Sequence, residues 1–329
     1  MMFIHQGAQG QIAPPAIGGP GNQKNKLKQM NWKNVLLIGA VTLLPVSISA
    51  QANILNAKMP EEIGKKTEAQ KAKDNDAPLP YGYVDDRDIL WSKTVWEVID
   101  LDERINFPLY YPTDTIEIGP DRRSLYDVLI KNIKNGNLED VYVDSYFTEK
   151  RKFSDLAATL QKVDTTDFGY EQYNAGEQIS PEYINRRNLT AADLEEYLIK
   201  GIWYFDKRQG ELKYRLLGIA PVAPDVNFID DESMDLAEAK VPLFWVWYPS
   251  ARQILHEAKV FNQRNSAQPI SFDMLLNARR FNATIYKEEN THGDREIKDY
   301  ISDNALFQLL ESKRIKEGIR DREQDMWAY

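Results

Sequence analysis

Residues 202–220 read IWYFDKRQGELKYRLLGIA. Two apolar runs flank a polar turn, Asp206 to Gly210, and both runs are rich in aromatic and branched side chains. That is the pattern of a β-hairpin. Leu212, Tyr214 and Leu216 recur with period two, so one face of the second strand is directed at a core. Pro221 and Pro224 end the strand. Amphipathic helical stretches lie on both sides of this hairpin, so the expected fold is α+β: mixed small sheets with packed amphipathic helices.

Upstream, Ile89 to Ile99 sets Trp91, Val95 and Ile99 on one alternating face and Leu90, Thr94, Trp96 and Val98 on the other. This predicts a strand, although Val95, Val98 and Ile99 also fit a helical stripe. Asn106 to Pro112 reads as an extended segment bounded by prolines. Ser124 caps a helix whose apolar face is Leu125, Val128, Leu129 and Ile133, and Gly136 supplies its left-handed stop. Val141 to Val143 reads as a short strand, and Phe153 to Leu160 as a short amphipathic helix. Thr190 is placed to cap a helix over Ala191–Lys200, with Asp193 closing a capping box and Leu194, Tyr197 and Leu198 turned inward.

Downstream, Asp225 to Lys240 is an acidic loop, and Val241 to Tyr248 (VPLFWVWY) is an apolar strand, buried on both faces or lining an interface. Pro249-Ser250 starts a helix with Ile254, Leu255 and Ala258 inward and Gln253 completing a capping box. Ser271 caps Phe272 to Arg280, and Ile285-Tyr286 follows as a strand. A charged helix over about Ser302 to Asp325 carries Leu306, Leu309, Leu310 and Ile315. The chain then ends in Met326-Trp327-Ala328-Tyr329, tucked into the core or offered to a partner. Residues 89–145 and 241–289 share a strand–helix–strand order with a Ser-capped helix, which is either a weak internal repeat or chance recurrence of a common pattern.

Ahead of the folded region, expected to begin near Asp86, residues 53–85 read as a flexible arm. Its apolar residues are thinly spread, and it ends in Pro78-Leu79-Pro80-Tyr81-Gly82-Tyr83, where the prolines stiffen two tyrosines. Ahead of the arm, Val35 to Val46 is a twelve-residue apolar run behind Lys24, Lys26, Lys28 and Lys33 and before Ala50-Gln51-Ala52. A bilayer span needs about 20 apolar residues. The shorter run with a basic flank and small-residue exit is the pattern of a cleaved secretory signal, with cleavage after Ala50 or Ala52. Residues 1–52 are therefore expected to be an N-terminal extension and signal. Met1 and Met30 both stand where translation could start.

The charge and the missing residue types narrow the chemistry. Removing residues 1–52 takes away four lysines and no acid, leaving 37 basic against 50 acidic residues, a net charge of −13. That balance opposes binding to nucleic acid or to anionic lipid. Without a cysteine the chain has neither thiolate chemistry nor a lipid-attachment residue of its own. His256-Glu257 resembles the opening of a zinc-protease H-E-x-x-H helix, but position 260 is Val. His292 sits in a polar loop. The acidic clusters Asp100-Leu101-Asp102-Glu103 and Asp230-Asp231-Glu232 leave open a glycosidase-like carboxylate pair, yet such clusters are far more often solvated faces. Asp225-Val226-Asn227 begins like a calcium loop without its glycine and terminal glutamate. We therefore assign no catalytic residue, metal or cofactor. The residues singled out for partner binding are Tyr81, Tyr83, Trp245, Trp247, Tyr248 and Trp327.

Tyr81-Gly82-Tyr83-Val84, Asp85 to Lys93 (DDRDILWSK), Ile99-Asp100-Leu101 and Asn106 to Pro112 (NFPLYYP) resemble the opening of the GldN/PorN gliding-motility family. Val241 to Pro249 and Ile285 to Glu288 are similar to later parts of it, so the resemblance runs from about residue 79 to the C-terminus. It implies a periplasmic component of the type IX secretion system with no enzymatic activity of its own. The implied partners are a GldK/PorK-like outer-membrane lipoprotein, neighbouring ring subunits and a GldM/PorM-like motor protein; nucleic acid and direct membrane insertion are not implied. The alternatives are a periplasmic carbohydrate or peptidoglycan enzyme and a sugar-binding module.

Overall fold

The computed structural model describes residues 59, 61, 68–73, 75–119, 122–228, 240–262, 265, 268–302 and 304–327. The expected signal, the Asp230-Asp231-Glu232 cluster and the terminal Ala328-Tyr329 lie outside the described residues. Two units are distinguished, Met1–Asn75 and Asp76–Tyr329. In the first, the described residues include one short helix, α1 (Glu68–Lys73).

The second unit begins with β1 (Ile89–Asp100), α2 (Phe107–Tyr110), α3 (Leu125–Lys134), β2 (Val141–Tyr142) and α4 (Phe153–Leu160). Next come β3 (Gln161–Thr165), α5 (Asp167–Asn174), β4 (Ile184–Asn188), β5 (Glu196–Asp206) and β6 (Glu211–Pro224). The last part holds β7 (Lys240–Pro242), β8 (Trp245–Trp247), α6 (Tyr248–Glu257), β9 (Lys259–Val260) and β10 (Ile270–Ser271). It closes with α7 (Phe272–Asn277), β11 (Thr284–Glu288), α8 (Ile297–Tyr300) and α9 (Ala305–Trp327). The class is α+β, as expected.

Among the described residues the main sheet has seven strands in the order β11-β1-β5-β6-β8-β2, with β7 added to β6. All its pairings are antiparallel. The hairpin β5–β6 is its centre, with Asp206 opposite Glu211 and Trp203 opposite Tyr214. Asp206 shapes the turn by accepting the Arg208 N–H at 2.9 Å, and Gly210 takes the positive φ of 65° that the turn requires.

Register assigns the two faces of the sheet. Glu97 lies opposite Ile199 and Ile99 opposite Tyr197 on one face, while Trp96 opposes Lys200 and Val98 opposes Leu198 on the other. On the first face, Ile99, Tyr197, Ile199 and Ile219 share a core with Leu129 of α3, Tyr248 and Leu255 of α6, and Phe272 and Leu276 of α7. Each fully buried side chain of this size contributes about 1.5–3 kcal/mol, against about 1 kcal/mol for a helix cap. Burial therefore holds the layers together and the caps set where the helices begin. Those caps are the serines read from the sequence: Ser124 accepts the Asp127 N–H at 3.2 Å and Ser271 the Met274 N–H at 3.1 Å.

Helix α9 runs along the β11 edge of the sheet. Its Ser312 hydroxyl accepts the Ile285 N–H at 2.9 Å, and the Lys316 ammonium binds the Ala283 carbonyl. Ile315 and Ile319 pack beside Val95 and Ile285.

The structure corrects several local readings. The expected helix over Ala191–Lys200 shrinks to one turn, Ala191–Asp193, which does carry the Thr190–Asp193 capping box. Beyond it Tyr197 and Ile199 alternate with less buried neighbours in β5, which pairs on both sides with β1 and β6. A double ladder outweighs a local helical preference. Asn106–Pro112 is not extended: Phe107–Tyr110 is a short helix with Pro108 in its first turn, where a missing N–H costs nothing. The run Val241–Tyr248 is not one strand; β7 and β8 pair with different parts of β6, and Tyr248 opens α6. Gln253 bonds Glu257 at 2.9 Å and caps nothing. The hairpin β3–β4, with α5 between its strands, had no sequence reading at all. The arm expected to run to residue 85 is already packed on the second unit from Asp76 onward.

Candidate docking site

Two of the sequence candidates meet in one polar knot. Arg252 of α6 grips Asp273 of α7 with Nε–Oδ1 at 2.9 Å and Nη2–Oδ2 at 3.1 Å. The Tyr248 hydroxyl donates to Asp273 Oδ1 at 2.8 Å and accepts from Asn277 Nδ2 at 2.9 Å. Asn277 in turn accepts the Tyr81 hydroxyl at 2.8 Å. The Tyr81 ring lies between two guanidiniums, Arg252 at 4.1 Å and Arg215 at 4.7 Å. The same two arginines hold the backbone on either side, Arg252 at the Leu79 carbonyl (2.6 Å) and Arg215 at the Gly82 carbonyl (3.0 Å). His256 Nε2 adds a contact to Asp76 at 2.7 Å. Residues 76–83 are thus a strap fastened to α6, α7 and β6. Burial raises the Tyr81 and Tyr248 hydroxyls above their ordinary value of 10.0, so both act here as neutral hydrogen-bonding groups.

Tyr248 is fully buried and offers no free surface of the kind sequence reasoning assigned to it, and Trp245 is only 3 % exposed. The reason is packing: Tyr248 starts α6 under the sheet, and Trp245 lies on β8 against Phe147. Trp247 is half-buried, its ring edge-on to Phe147 at 4.8 Å. Tyr83 is 85 % and Trp327 66 % exposed, and Trp327 lies near the Gly210 turn without being enclosed. The structure brings Tyr81 to Tyr248 and Trp245 to Trp247, and leaves Tyr83 and Trp327 apart from both pairs.

The second face of the sheet is open over a groove of about 1110 Å³. Val98, Leu198, Val222 and Trp245 form its floor; Tyr286, Lys287 and Leu309 line one side and Val143 and Ser145 the other. Phe147 anchors that other side. It adopts a φ of 60°, packs on Tyr142 and Trp245, and sits over Gly218, where an added Cβ would meet its ring at 2.5 Å. A bulky residue in a left-handed conformation is uncommon, and here the missing side chain of Gly218 makes room for it. Asp144 braces the loop by accepting the Tyr146 N–H at 2.9 Å and the Thr148 N–H at 3.2 Å. At one end of the groove Lys240 binds Glu195 and Glu196, each at 2.7 Å. Burial disfavours its charge, but the two carboxylates outweigh that and hold the ammonium above its ordinary value. Beside the groove, α9 leaves Leu306, Phe307, Leu309 and Leu310 each at least half exposed. The sequence placed three of these on the charged C-terminal helix; helical spacing marks an apolar face but not what covers it.

Of the acidic residues noted in the sequence, Asp100, Glu103 and Asp225 have structural partners. Asp100 accepts the Asp102 N–H at 2.9 Å, Glu103 binds Asn282 at 2.7 Å, and Asp225 accepts the Asn227 N–H at 2.9 Å. Among the described residues no group of His, Asp and Glu is placed to hold a metal ion, and no helix is long and apolar enough to cross a membrane. The geometry on offer is a long, partly apolar groove with charged ends, suited to holding a chain segment.

Residues 84–328 match the family described as "GldN: Gliding motility associated protein GldN". No curated protein matches the chain.

Proposed function

The chain belongs to the GldN family of gliding motility associated proteins, and from that premise we propose that it is a non-enzymatic structural subunit of the type IX secretion and gliding machinery. In this reading the chain is exported to the periplasm by the signal at residues 1–52. It is held beneath the outer membrane by a GldK/PorK-like lipoprotein, because it has no cysteine through which to carry a lipid itself. Pairs of the two proteins build a ring, and the ring meets the GldM/PorM-like motor protein. Tyr83 and Trp327, both exposed, supply further contacts to neighbouring subunits.

The observation that carries the docking role is the open groove beside the exposed Leu306, Phe307, Leu309 and Leu310. A cluster of large apolar side chains next to a groove marks an interaction surface. Tyr81 of the strap 76–83 is turned inward and fastens it to the fold, so the groove is the better site for a protein partner. The test is co-purification from cell envelopes of a tagged chain carrying Leu306→Asp and Leu309→Asp. Loss of the lipoprotein from a protein with unchanged circular dichroism is the expected result. Undiminished capture would remove the groove from the reading.

A further inference from the structure

Register places Lys200 of β5 and Lys287 of β11 on either side of Trp96 of β1. Their ammonium groups lie over the same indole, 4.8 and 4.7 Å from its centroid, and over the Tyr146 ring at 4.7 and 5.0 Å. Lys200 donates to the Ser145 carbonyl and Lys287 to the Tyr146 hydroxyl, both at 2.9 Å. Among the described residues neither lysine forms an ion pair with a carboxylate.

Asp294, Asp144 and Glu289 lie near Lys200, and the first two have partners of their own. Asp144 braces its own loop, and Asp294 accepts the Tyr146 hydroxyl at 3.1 Å and the Asn290 N–H at 3.0 Å. Burial, and after it the nearby Lys287 charge, lower the Lys200 ammonium from its ordinary 10.5. A third donor is also unanswered: the Trp96 indole N–H has no acceptor, in a side chain only 2 % exposed. Ring faces compensate a cation by about 0.5–2 kcal/mol, less than a full carboxylate partner provides inside a cleft. The far end of the groove differs, because Lys240 there is already neutralised by two glutamates. Lys287 lines the other end of the groove together with Ser145, whose carbonyl holds the Lys200 ammonium beside it.

We propose that this end of the groove receives an acidic side chain from an extended segment of a partner protein, whose apolar side chains continue over Val98 and Leu198 towards Leu309. The inference rests on the docking role proposed above and adds the chemistry of the occupant. A protein segment suits the site because the floor between its ends is apolar.

The experiment uses the full chain and a fluorescein-labelled synthetic peptide of about ten residues alternating Glu and Val, with a Gln-for-Glu peptide as control. Fluorescence anisotropy should show saturable binding of the Glu peptide, weaker by about tenfold or more for the Gln peptide. The same loss is expected for the Glu peptide with the variant Lys200→Met/Lys287→Met, whereas Lys200→Arg/Lys287→Arg retains binding. Three results would each overturn the inference: no saturable binding, equal affinity for the two peptides, or full binding by a folded Met/Met variant. Heparin binding lost in that variant while the peptide still binds would also overturn it. The two readings separate in co-purification. If Leu306→Asp/Leu309→Asp loses the lipoprotein while Met/Met retains it, the groove remains a docking site and only the anionic anchor falls.

Discussion

Arg279 reaches across 182 positions of sequence to Glu97, closing a two-pronged ion pair with both N–O distances at 2.9 Å. Glu97 is 1 % exposed, on the core face of β1. Tyr214 completes the arrangement, its hydroxyl 3.4 Å from Glu97 and its ring 4.1 Å from the guanidinium. Arg279 itself has a φ of 48°, just after α7.

Removing one partner leaves a buried charge without compensation. Arg279→Ala should cost about 3–5 kcal/mol, whereas the apolar double variant Glu97→Leu/Arg279→Met should cost clearly less. Urea unfolding of the two proteins makes the comparison. A single-variant loss no larger than that of the double would contradict it.

Gly201→Ala tests the same knot from the other side. A Cβ at Gly201 would fall 2.0 Å from the Tyr214 hydroxyl oxygen and 2.2 Å from Cζ. Tyr214 cannot move away without leaving Glu97 and Arg279. We expect a loss of about 1–3 kcal/mol, as for other overpacked sites, and a downward shift of the thermal midpoint.

The strap predicts a sharp boundary in truncation experiments. A chain beginning at residue 76 should unfold at the same urea concentration as one beginning at residue 53. A chain beginning at residue 84 should be less stable by about 2–4 kcal/mol, since it leaves Arg252 and Asn277 with lost partners. Equal stability of all three would mean that the Tyr81 contacts do not hold the fold together.

Acid should loosen the strap before the sheet. The hydrogen bond from His256 holds Asp76 below its ordinary 3.8, and likewise Lys150 lowers Asp140 and Arg314 lowers Glu311 from 4.5. A carboxyl lowered in the folded state contributes stability that is present above its unfolded value and fades as pH falls through the folded one. Hydrogen exchange at residues 77–83 should therefore rise below pH 3.8 while the amides of β5 stay protected. All three pairs are near the surface, so the change in global stability should be small.

Local features of the fold were legible in the sequence, and distant partners were not. Ser124 and Ser271 announce their helices because a cap acts within three residues, and the 202–220 hairpin announces itself through its turn. Ala191–Lys200 misled because Leu194, Tyr197 and Leu198 fit a helical stripe as well as they fit an edge-to-edge strand. Only the presence of β1 and β6 on both sides decides between them. Tyr81 was picked out as an anchor for a partner protein; in the fold its contacts are Arg252 and Asn277, which lie far along the chain and turn it inward. The groove had almost no local signature. Lys200, Lys287 and Trp96 come from three strands, and nothing in any one segment marks them as neighbours.

The sealing of β11 by α9 gives the molecule a polarity. An uncovered strand edge is a template on which another chain can add, and here Ser312 and Lys316 occupy the backbone groups of Ile285 and Ala283 that such a chain would need. Copies of this protein therefore cannot zip together into one continuous ribbon through that side. Any multimer has to grow by side-chain recognition or from elsewhere on the surface, with no open strand edge there to propagate.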